Sequence, residues 1–475
     1  MRDRPLSGGA KRFREEEMSR RAVCLMLAAC CWAAESGAVA ENRATGTDGE
    51  SASAPADAAA LLAASLAEGE LRALVDEALE RSPRLATMRA TARAAGHRGD
   101  RVGGLPDPEL TLLGYIEPPQ TRVGPQRLMA SVTQPLPWGG KRALAAEAER
   151  RRAEALEADL RAARLDVVTE VRALYLELAF VSRQTAISER FRAHLVRHEE
   201  IARSRYTTGH GGGQGVLKLQ AEITRVDRRL IELAARRRSL EARLNGTLGR
   251  AADRPVPAAS LPEALPTDLD LERLIGAALA QRPELEADSA RIAAAESLVG
   301  RAEQGFKPDF RVGLTYALVE RRDDPAGRLM PPPDNGQDVL GIAGGVSIPL
   351  WSRQRHAALE ESLELRSAGE HQRVQTATAI SARIADLVSR IDLTWKELRL
   401  LEDLLVVQAQ ESLESAQAGY VTGSLNALDL FDADHLLSET ETAVARATAD
   451  YLIGLAELEG AIAGVLPESS TGGAS

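Results

Sequence analysis

Ala78-Leu79-Glu80-Arg81-Ser82-Pro83, with Leu85 two residues on, returns as Ala278-Leu279-Ala280-Gln281-Arg282-Pro283 with Leu285, an offset of 200 residues that persists to Pro108 and Pro308. Working outward, Val132-Thr133-Gln134-Pro135-Leu136 matches Val346-Ser347-Ile348-Pro349-Leu350 at an offset of 214, with Trp138 and Trp351 just beyond. Tyr206-Thr207-Thr208-Gly209 matches Tyr420-Val421-Thr422-Gly423, and Leu244-Asn245-Gly246 matches Leu458-Glu459-Gly460, again at 214. Matches in one order at a nearly constant offset make the chain two copies of one unit.

Each unit repeats the same elements. A helix of about 30 residues, near 72–103 and 270–304, ends at a proline-containing break that opens an extended run. In the second copy Phe310, Val312, Leu314, Tyr316 and Leu318 alternate with Asp309, Arg311, Gly313, Thr315 and Ala317, which predicts a strand with one apolar side. A polar loop with Asp323, Asp324, Pro331, Pro332, Pro333 and Asn335 leads to a second alternating run through Leu340, Ile342, Val346, Ile348 and Leu350. The pair reads as a long-looped hairpin. In the first copy the corresponding segments, about 107–117 and 126–137, alternate less cleanly between the same proline boundaries.

A proline-free helical stretch follows, about 140–205 and 353–418, and at 1.5 Å per residue it is roughly 100 Å long. In the second copy Ile380, Ile384, Leu387, Ile391, Leu398, Leu401 and Leu405 keep a 4-3 heptad beat, with Thr394 in one slot. A neighbouring stripe of Leu393, Leu400, Leu404 and Val407 gives the helix a second seam, which suits a closed wall of helices better than a two-stranded rope. After a turn at Gly209 or Gly423, a return helix of about 35 residues runs to Gly249 or Gly464. Residues 251–268, with Pro255, Pro257, Pro262 and Pro266, link the copies. By length, the return helix of copy one and the first helix of copy two are expected to stack end to end against a long helix.

Composition fits elongated units. Of 475 residues only 3% are aromatic, and the 44% apolar share is dominated by Ala, Leu and Val, so helices packed on small side chains are expected rather than compact globes. With 59 basic against 69 acidic residues and a net charge of -10, no overall positive field exists to hold a phosphate backbone, and nucleic acid is not an expected partner.

Cys24, Cys30 and Cys31 are the three cysteines, all in one apolar segment near the N-terminus, so the body has no disulfide framework or thiolate metal site. Ser19-Arg20-Arg21, the apolar stretch Ala22 to Ala34 and Ala38-Val39-Ala40 fit an export signal, with Met18 as an alternative start. Leu27-Ala28-Ala29-Cys30 also resembles a lipoprotein cleavage box, so cleavage after Ala40 and acylation of Cys30 both stand. Elsewhere no stretch approaches the roughly 20 apolar residues of a spanning helix, so any crossing of a membrane is by strands. Four strands cannot close a barrel, whose smallest common outer-membrane form has about eight, and open strands in lipid leave backbone groups unpaired. Several protomers sharing one barrel, or a soluble hairpin capping a coiled coil, satisfy that constraint; one apolar strand face, export and two-seamed helices favour the shared barrel.

The duplicated helix starts, the Gln134-Pro135-Leu136-Pro137-Trp138-Gly139-Gly140-Lys141-Arg142 stretch and the Tyr-x-x-Gly turns resemble outer-membrane factors of the TolC type over about residues 70–465. Pro106-Asp107-Pro108-Glu109-Leu110 together with Leu136 to Arg142 is similar to the heavy-metal, cobalt-zinc-cadmium branch. The resemblance implies a mainly α fold with a small β part: two tandem repeats of long coiled-coil helices plus β-hairpins, in a homotrimer whose 12-stranded β-barrel in outer-membrane lipid continues as a periplasmic α-barrel. It implies an exit duct of a tripartite efflux or type I secretion system, served by a periplasmic membrane-fusion adaptor and an inner-membrane pump of the resistance-nodulation-division or ABC type. The implied organisation is 1–40 extension and signal, 41–69 flexible linker, 70–250 first repeat, 251–268 equatorial linker, 269–465 second repeat and 466–475 disordered tail. By the same resemblance Tyr206, Gly209, Tyr420 and Gly423 mark tips that meet the adaptor, and Tyr420, Asp429 and Asp432 a periplasmic gate, in which threefold symmetry makes each Asp a carboxylate ring. Leu425 stands where the family pattern can have a latch arginine, and the bland reading of both aspartates is helix N-terminal carboxylates.

Other candidates lead nowhere. His194 and His198 are four apart on a helix, but no Glu follows the first and no third ligand is evident, so they read as surface histidines. Gly211-Gly212-Gly213-Gln214-Gly215 follows a helix and lacks a phosphate loop's Lys-Ser/Thr. No nucleophile, base and orienting group share a motif, so neither an enzyme nor a cofactor is expected. A periplasmic coiled-coil adaptor or scaffold without a channel is the other functional reading; it predicts a single helical hairpin.

Overall fold

The duplication organises the structure. A computed structural model describes residues 69–209 and 212–466; the export segment, Cys30, most of the 41–69 linker and residues 467–475 lie outside the described residues. The first repeat comprises α1 (Gly69–Arg81), α2 (Pro83–Gly103), β1 (Glu109–Gly114), β2 (Gln120–Thr121), β3 (Gly124–Leu136), α3 (Lys141–Thr207) and α4 (Gly213–Leu248). The second comprises α5 (Leu271–Gln281), α6 (Pro283–Gln304), β4 (Asp309–Val319), α7 (Pro325–Leu329), β5 (Val339–Ser347), α8 (Ser352–Leu400), a π-helical turn (Leu401–Leu405), α9 (Val406–Thr422) and α10 (Ala427–Ile462).

The first helix of each repeat is broken, where a continuous one was expected. Pro83 and Pro283 disfavour the helical region for the preceding residue, and Ser82 (φ −53°, ψ 123°) and Arg282 (φ −66°, ψ 123°) take extended ψ values. The expected stacking also differs: each return helix abuts the first helices of its own repeat. Arg250, just past α4, pairs with Glu77 of α1 through Nε and Oε1 at 2.6 Å. Gly249, at φ 69°, lies so near Arg81 that a Cβ there would be 2.9 Å from its carbonyl oxygen. In the second repeat Arg282 Nη1 donates to the carbonyls of Gly460 at 2.8 Å and Ala461 at 3.1 Å, at the end of α10. The linker crosses between the units. Asn245 Nδ2 holds its start through the Arg254 carbonyl (2.8 Å), and the Tyr451 hydroxyl its end through the Leu265 carbonyl (2.8 Å).

α3 is the central column, packed by α2 and α4 on one side and by α6 and α10 on the other, with α8 and α9 beyond them. Val168, Val171, Tyr175 and Leu178 of α3 are buried in one cluster with Leu74, Val75 and Leu85 of α1 and α2 and with Leu240 and Leu244 of α4. In α8, Ile380, Ile384, Leu387, Ile391 and Leu398 are buried as the heptad beat requires. Past Leu398 the beat slips. Its continuation from Leu405 would bury positions 408, 412, 415 and 419, whereas Ala409, Leu413, Ala416 and Tyr420 are the buried residues. The π turn inserts one residue into the helical count, which moves every later side chain by one position.

The strands form one antiparallel sheet in the order β1-β3-β4-β5, with the two-residue β2, absent from the four-strand expectation, pairing with β3. β5 stops at Ser347, before Pro349, rather than reaching Leu350. Across the sheet Leu110, Val132, Leu314 and Ile342 lie in one row, and Leu112, Ala130, Tyr316 and Leu340 in another, so directly paired residues give one face an apolar band. Between them Thr111, Ser131, Thr315 and Gly341 occupy the opposite face.

Candidate functional site

The candidate sites lie at the sheet and at the turns after the long helices. At the sheet end, β4 has 11 residues, the length a tilted strand needs to cross a bilayer's hydrocarbon. One chain leaves β1 and β5 as open edges. Trp138 stacks on Phe310 with centroids 5.8 Å apart, and its backbone N–H donates to Asp309 Oδ1 at 2.7 Å. Lys141 Nζ reaches the same oxygen at 2.8 Å, tying the start of α3 to the start of β4. Trp351 is exposed just below β5, so aromatic rings lie at the boundary between sheet and helices, where barrel proteins place their girdle. Among the described residues no helix is long and apolar enough to cross a membrane.

At the opposite end are the turns after the long helices. Gly423 (φ 80°) ends α9 in a left-handed conformation; its N–H and that of Ser424 donate to the carbonyls of Tyr420 and Gly419 at 3.3 and 2.9 Å. This is a Schellman closure, and only glycine takes the positive φ without cost. Leu425 folds back over Gly419, so it serves the turn and offers no charge. Asn426 then caps α10: its side chain accepts from the N–H groups of Leu428 and Asp429, while Asp429 Oδ2 accepts from the Asn426 N–H at 2.9 Å. Asp429 is thus part of a capping box. Asp432, one turn on, is 66% exposed, with Lys218 Nζ at 3.9 Å. Gly209 (φ 77°) closes α3 in the same left-handed way, and the half-exposed Tyr206 ring covers Gly213 at the start of α4.

Of the tip residues singled out in the sequence, Tyr420 is buried, Tyr206, Gly209 and Gly423 lie at the ends of α3 and α9, and Asp429 and Asp432 lie in the first turns of α10. Arg205 joins the turns: its guanidinium lies 4.1 Å from the Tyr420 ring centroid, and Nη2 donates to the Tyr420 carbonyl at 2.9 Å. The phenol oxygen is buried without a hydrogen-bond partner. Sequence reasoning missed Arg205 because the contact joins positions 215 apart; the Asn-x-x-Asp signature of the capping box was readable.

The histidine pair was also misjudged. Asp434 of α10, only 3% exposed, accepts from His194 Nδ1 at 3.0 Å and from His198 Nε2 at 3.3 Å. Burial on its own would raise the Asp434 carboxyl, but the hydrogen bonds from His198 and His194 outweigh it and hold it below its ordinary value. These are therefore interhelical contacts, not free surface side chains, with a partner more than 230 residues away that local spacing does not reveal. Among the described residues no three His, Cys, Asp or Glu side chains are placed to hold a metal ion.

The chain as a whole is similar to known proteins. The cobalt-zinc-cadmium resistance protein CzcC of Cupriavidus metallidurans is 22% identical over 359 residues, 74% of this chain and 81% of that protein. Among solved structures, the outer-membrane channel OprN superposes with a TM-score of 0.69 at 20% identity, covering 84% of this chain and 90% of OprN. The outer membrane protein VceC of Vibrio cholerae gives 0.67 at 22% identity, covering 84% of this chain and 97% of VceC. The fold is that of outer-membrane channel proteins. Residues 74–250 and 274–464, the two repeats read from the internal duplication, each match one family, and the chain belongs to the outer membrane efflux protein family.

Proposed function

We propose that three copies of this chain build one outer-membrane exit duct, which passes substrates outward from a periplasmic adaptor and an inner-membrane pump. A single observation carries the trimer: the chain presents unfinished edges on sheet and helices alike. β1 and β5 are open, and the second seam of the long helix is uncovered, with Leu393 65% and Leu400 60% exposed. β1, β3, β4 and β5 of each chain make 12 strands in a trimer, enough for a closed barrel around water. The apolar rows then face lipid, and the Thr, Ser and Gly rows face the lumen.

The turns at Tyr206, Gly209, Tyr420 and Gly423 are the adaptor-facing tips in this reading. Asp432, exposed beside the tip, contributes to a threefold ring of carboxylates that attracts cations and repels anions. Asp429 stands one turn nearer the tip and combines that position with its capping role. The likeness to a cobalt-zinc-cadmium resistance protein supports divalent metal ions as the exported class. Deleting the gene and measuring growth against cobalt, zinc, cadmium, drugs and detergents tests this. Selective metal sensitivity is expected; sensitivity to drugs alone would overturn the metal reading and leave the duct.

A further inference from the structure

We propose that copies of this chain join along one defined helical seam, in which α4 of one copy packs antiparallel on α8 and α9 of the next, with Ala235 level with Leu400. The seam rests on the duct reading and names the surfaces that close its helical wall. Within one chain α4 packs on α3, α3 on α10, and α10 on α8 and α9, so α4 and α8–α9 are the two outer edges. Each edge carries two stripes. On α4 Leu219, Val226, Leu233 and Leu240 are buried, while Leu217, Thr224, Ile231 and Arg238, two residues earlier at every step, are exposed, Leu217 at 69% and Ile231 at 70%. On α8 Ile391 and Leu398 are buried, while Leu393 and Leu400, two residues later, are exposed. Two residues are about 200° of helix, so both outer stripes point away from the chain's own core.

The two outer stripes fit each other in level, size and charge. Glu177 of α3 pairs with Arg236 of α4 at 3.1 Å and with Arg446 of α10 at 2.9 Å, which sets those two arginines at one level. Tyr451, five residues after Arg446, lies against Trp395 with ring centroids 5.1 Å apart, and five residues on from Trp395 along the antiparallel α8 is Leu400. Arg236, and with it the neighbouring Ala235, is therefore level with Leu400, and rotation about an axis along the helices keeps that level between copies. Because α4 and α8 run in opposite directions, their 4-3 stripes then meet member by member: Ala235 with Leu400, Ile231 with Leu404, Arg238 with Glu397. A small side chain faces a large one at the first pair, and opposite charges meet at the third. Among the described residues neither Arg238 nor Glu397 has a charged partner within its own chain. Whole edges are complementary too: α4 has eight basic against four acidic residues, whereas Leu401 to Thr422 has four acidic and no basic ones. Two α4 edges, or two α9 edges, would set like charges face to face, so the contact is head-to-tail, the kind that closes a ring.

The test is disulfide cross-linking of the full chain in outer-membrane fractions, with native mass in mild detergent read before oxidation. Ala235→Cys with Leu400→Cys in one chain, oxidised with copper phenanthroline, should give dimers and trimers on a non-reducing gel. The yield should exceed by about tenfold that of Ala235→Cys with Glu411→Cys, a pair about 16 Å off level. Ala242→Cys with Leu393→Cys should behave as the first pair, and each single variant as the unsubstituted chain, whose own cysteines all lie between positions 24 and 31. Arg238→Glu should lower the trimer recovered in detergent by about threefold or more, and adding Glu397→Arg should restore it. A trimer that cross-links at neither matched pair, that cross-links equally at the off-level pair, or that Glu397→Arg fails to rescue would overturn the seam and leave the duct. A single chain by native mass would overturn the duct reading and the seam with it.

Discussion

Arg205 of the first repeat stacks 4.1 Å from the Tyr420 ring of the second and donates to the Tyr420 carbonyl, so one side chain seals the end of the neighbouring long helix. The contact combines a cation-π interaction with a charge-assisted hydrogen bond to a helix C-terminal carbonyl. Arg205→Ala should loosen the tip by about 1–2 kcal/mol, seen as faster proteolytic cleavage between residues 419 and 426 and a larger single-channel conductance. Arg205→Lys keeps the charge but not the flat stack, and should recover only part of the loss. Unchanged cleavage in Arg205→Ala would show that the Gly423 turn holds itself.

The π turn sets which face of α9 meets α10. Deleting the exposed Leu404 removes the extra residue, so a continuous α-helix carries Leu413, Ala416 and Tyr420 on the positions that the heptad beat of α8 buries, and the seam with α10 is kept. Amide exchange over 406–422 should then stay within about twofold of the wild type, with 380–398 unchanged. A rise of about tenfold or more over 406–422 would show that the π turn itself, and not the helical count, holds the seam.

Gly124 opens β3 with φ 134°, and a Cβ there would fall 1.8 Å from the Glu320 carbonyl oxygen, in the loop after β4. Gly124→Ala must move one hairpin end away from the other. The expected cost is at least about 3 kcal/mol, confined to the outer loops and measurable as a lower melting temperature of the sheet signal in infrared spectra. A melting temperature within a degree of the wild type would contradict the contact.

Glu77 and Arg250 join α1 to the end of α4. The hydrogen bond from Arg250 is the main cause of a Glu77 carboxyl held below its ordinary 4.5, against opposing desolvation. A lowered folded-state value means that the contribution is present at neutral pH and is lost as pH falls through that value. Below pH 4.5 the wild-type melting temperature should therefore fall more steeply than that of Glu77→Gln, which should already melt lower at pH 7. Parallel curves would remove this pair from the acid response.

The sequence exposed what repeats and what alternates. Offsets of 200 and 214 located both copies, and Phe310 through Leu318 gave the apolar strand face that the register extends across four strands. It did not reveal the break at Ser82, although Pro83 was in view, because the apolar pattern continues across it. Equal lengths misled on stacking: what fixes the partner of α4 is the Glu77–Arg250 pair and the tight approach of Gly249, which no length comparison sees. At the tip, the repeat marked the turns at Tyr206 to Gly209 and Tyr420 to Gly423, and the family resemblance added Asp429. Arg205 and Asp434 were not found, because their partners come from the other repeat and depend on helix phase, which the π turn shifts in α9.

The central claim, that one chain is a third of a duct, is tested most directly by the native mass of the protein extracted from the outer-membrane fraction in mild detergent. The account predicts three chains per particle, held by the β1 and β5 edges and the seam at Leu393 and Leu400. A single chain recovered from the soluble periplasm would contradict it.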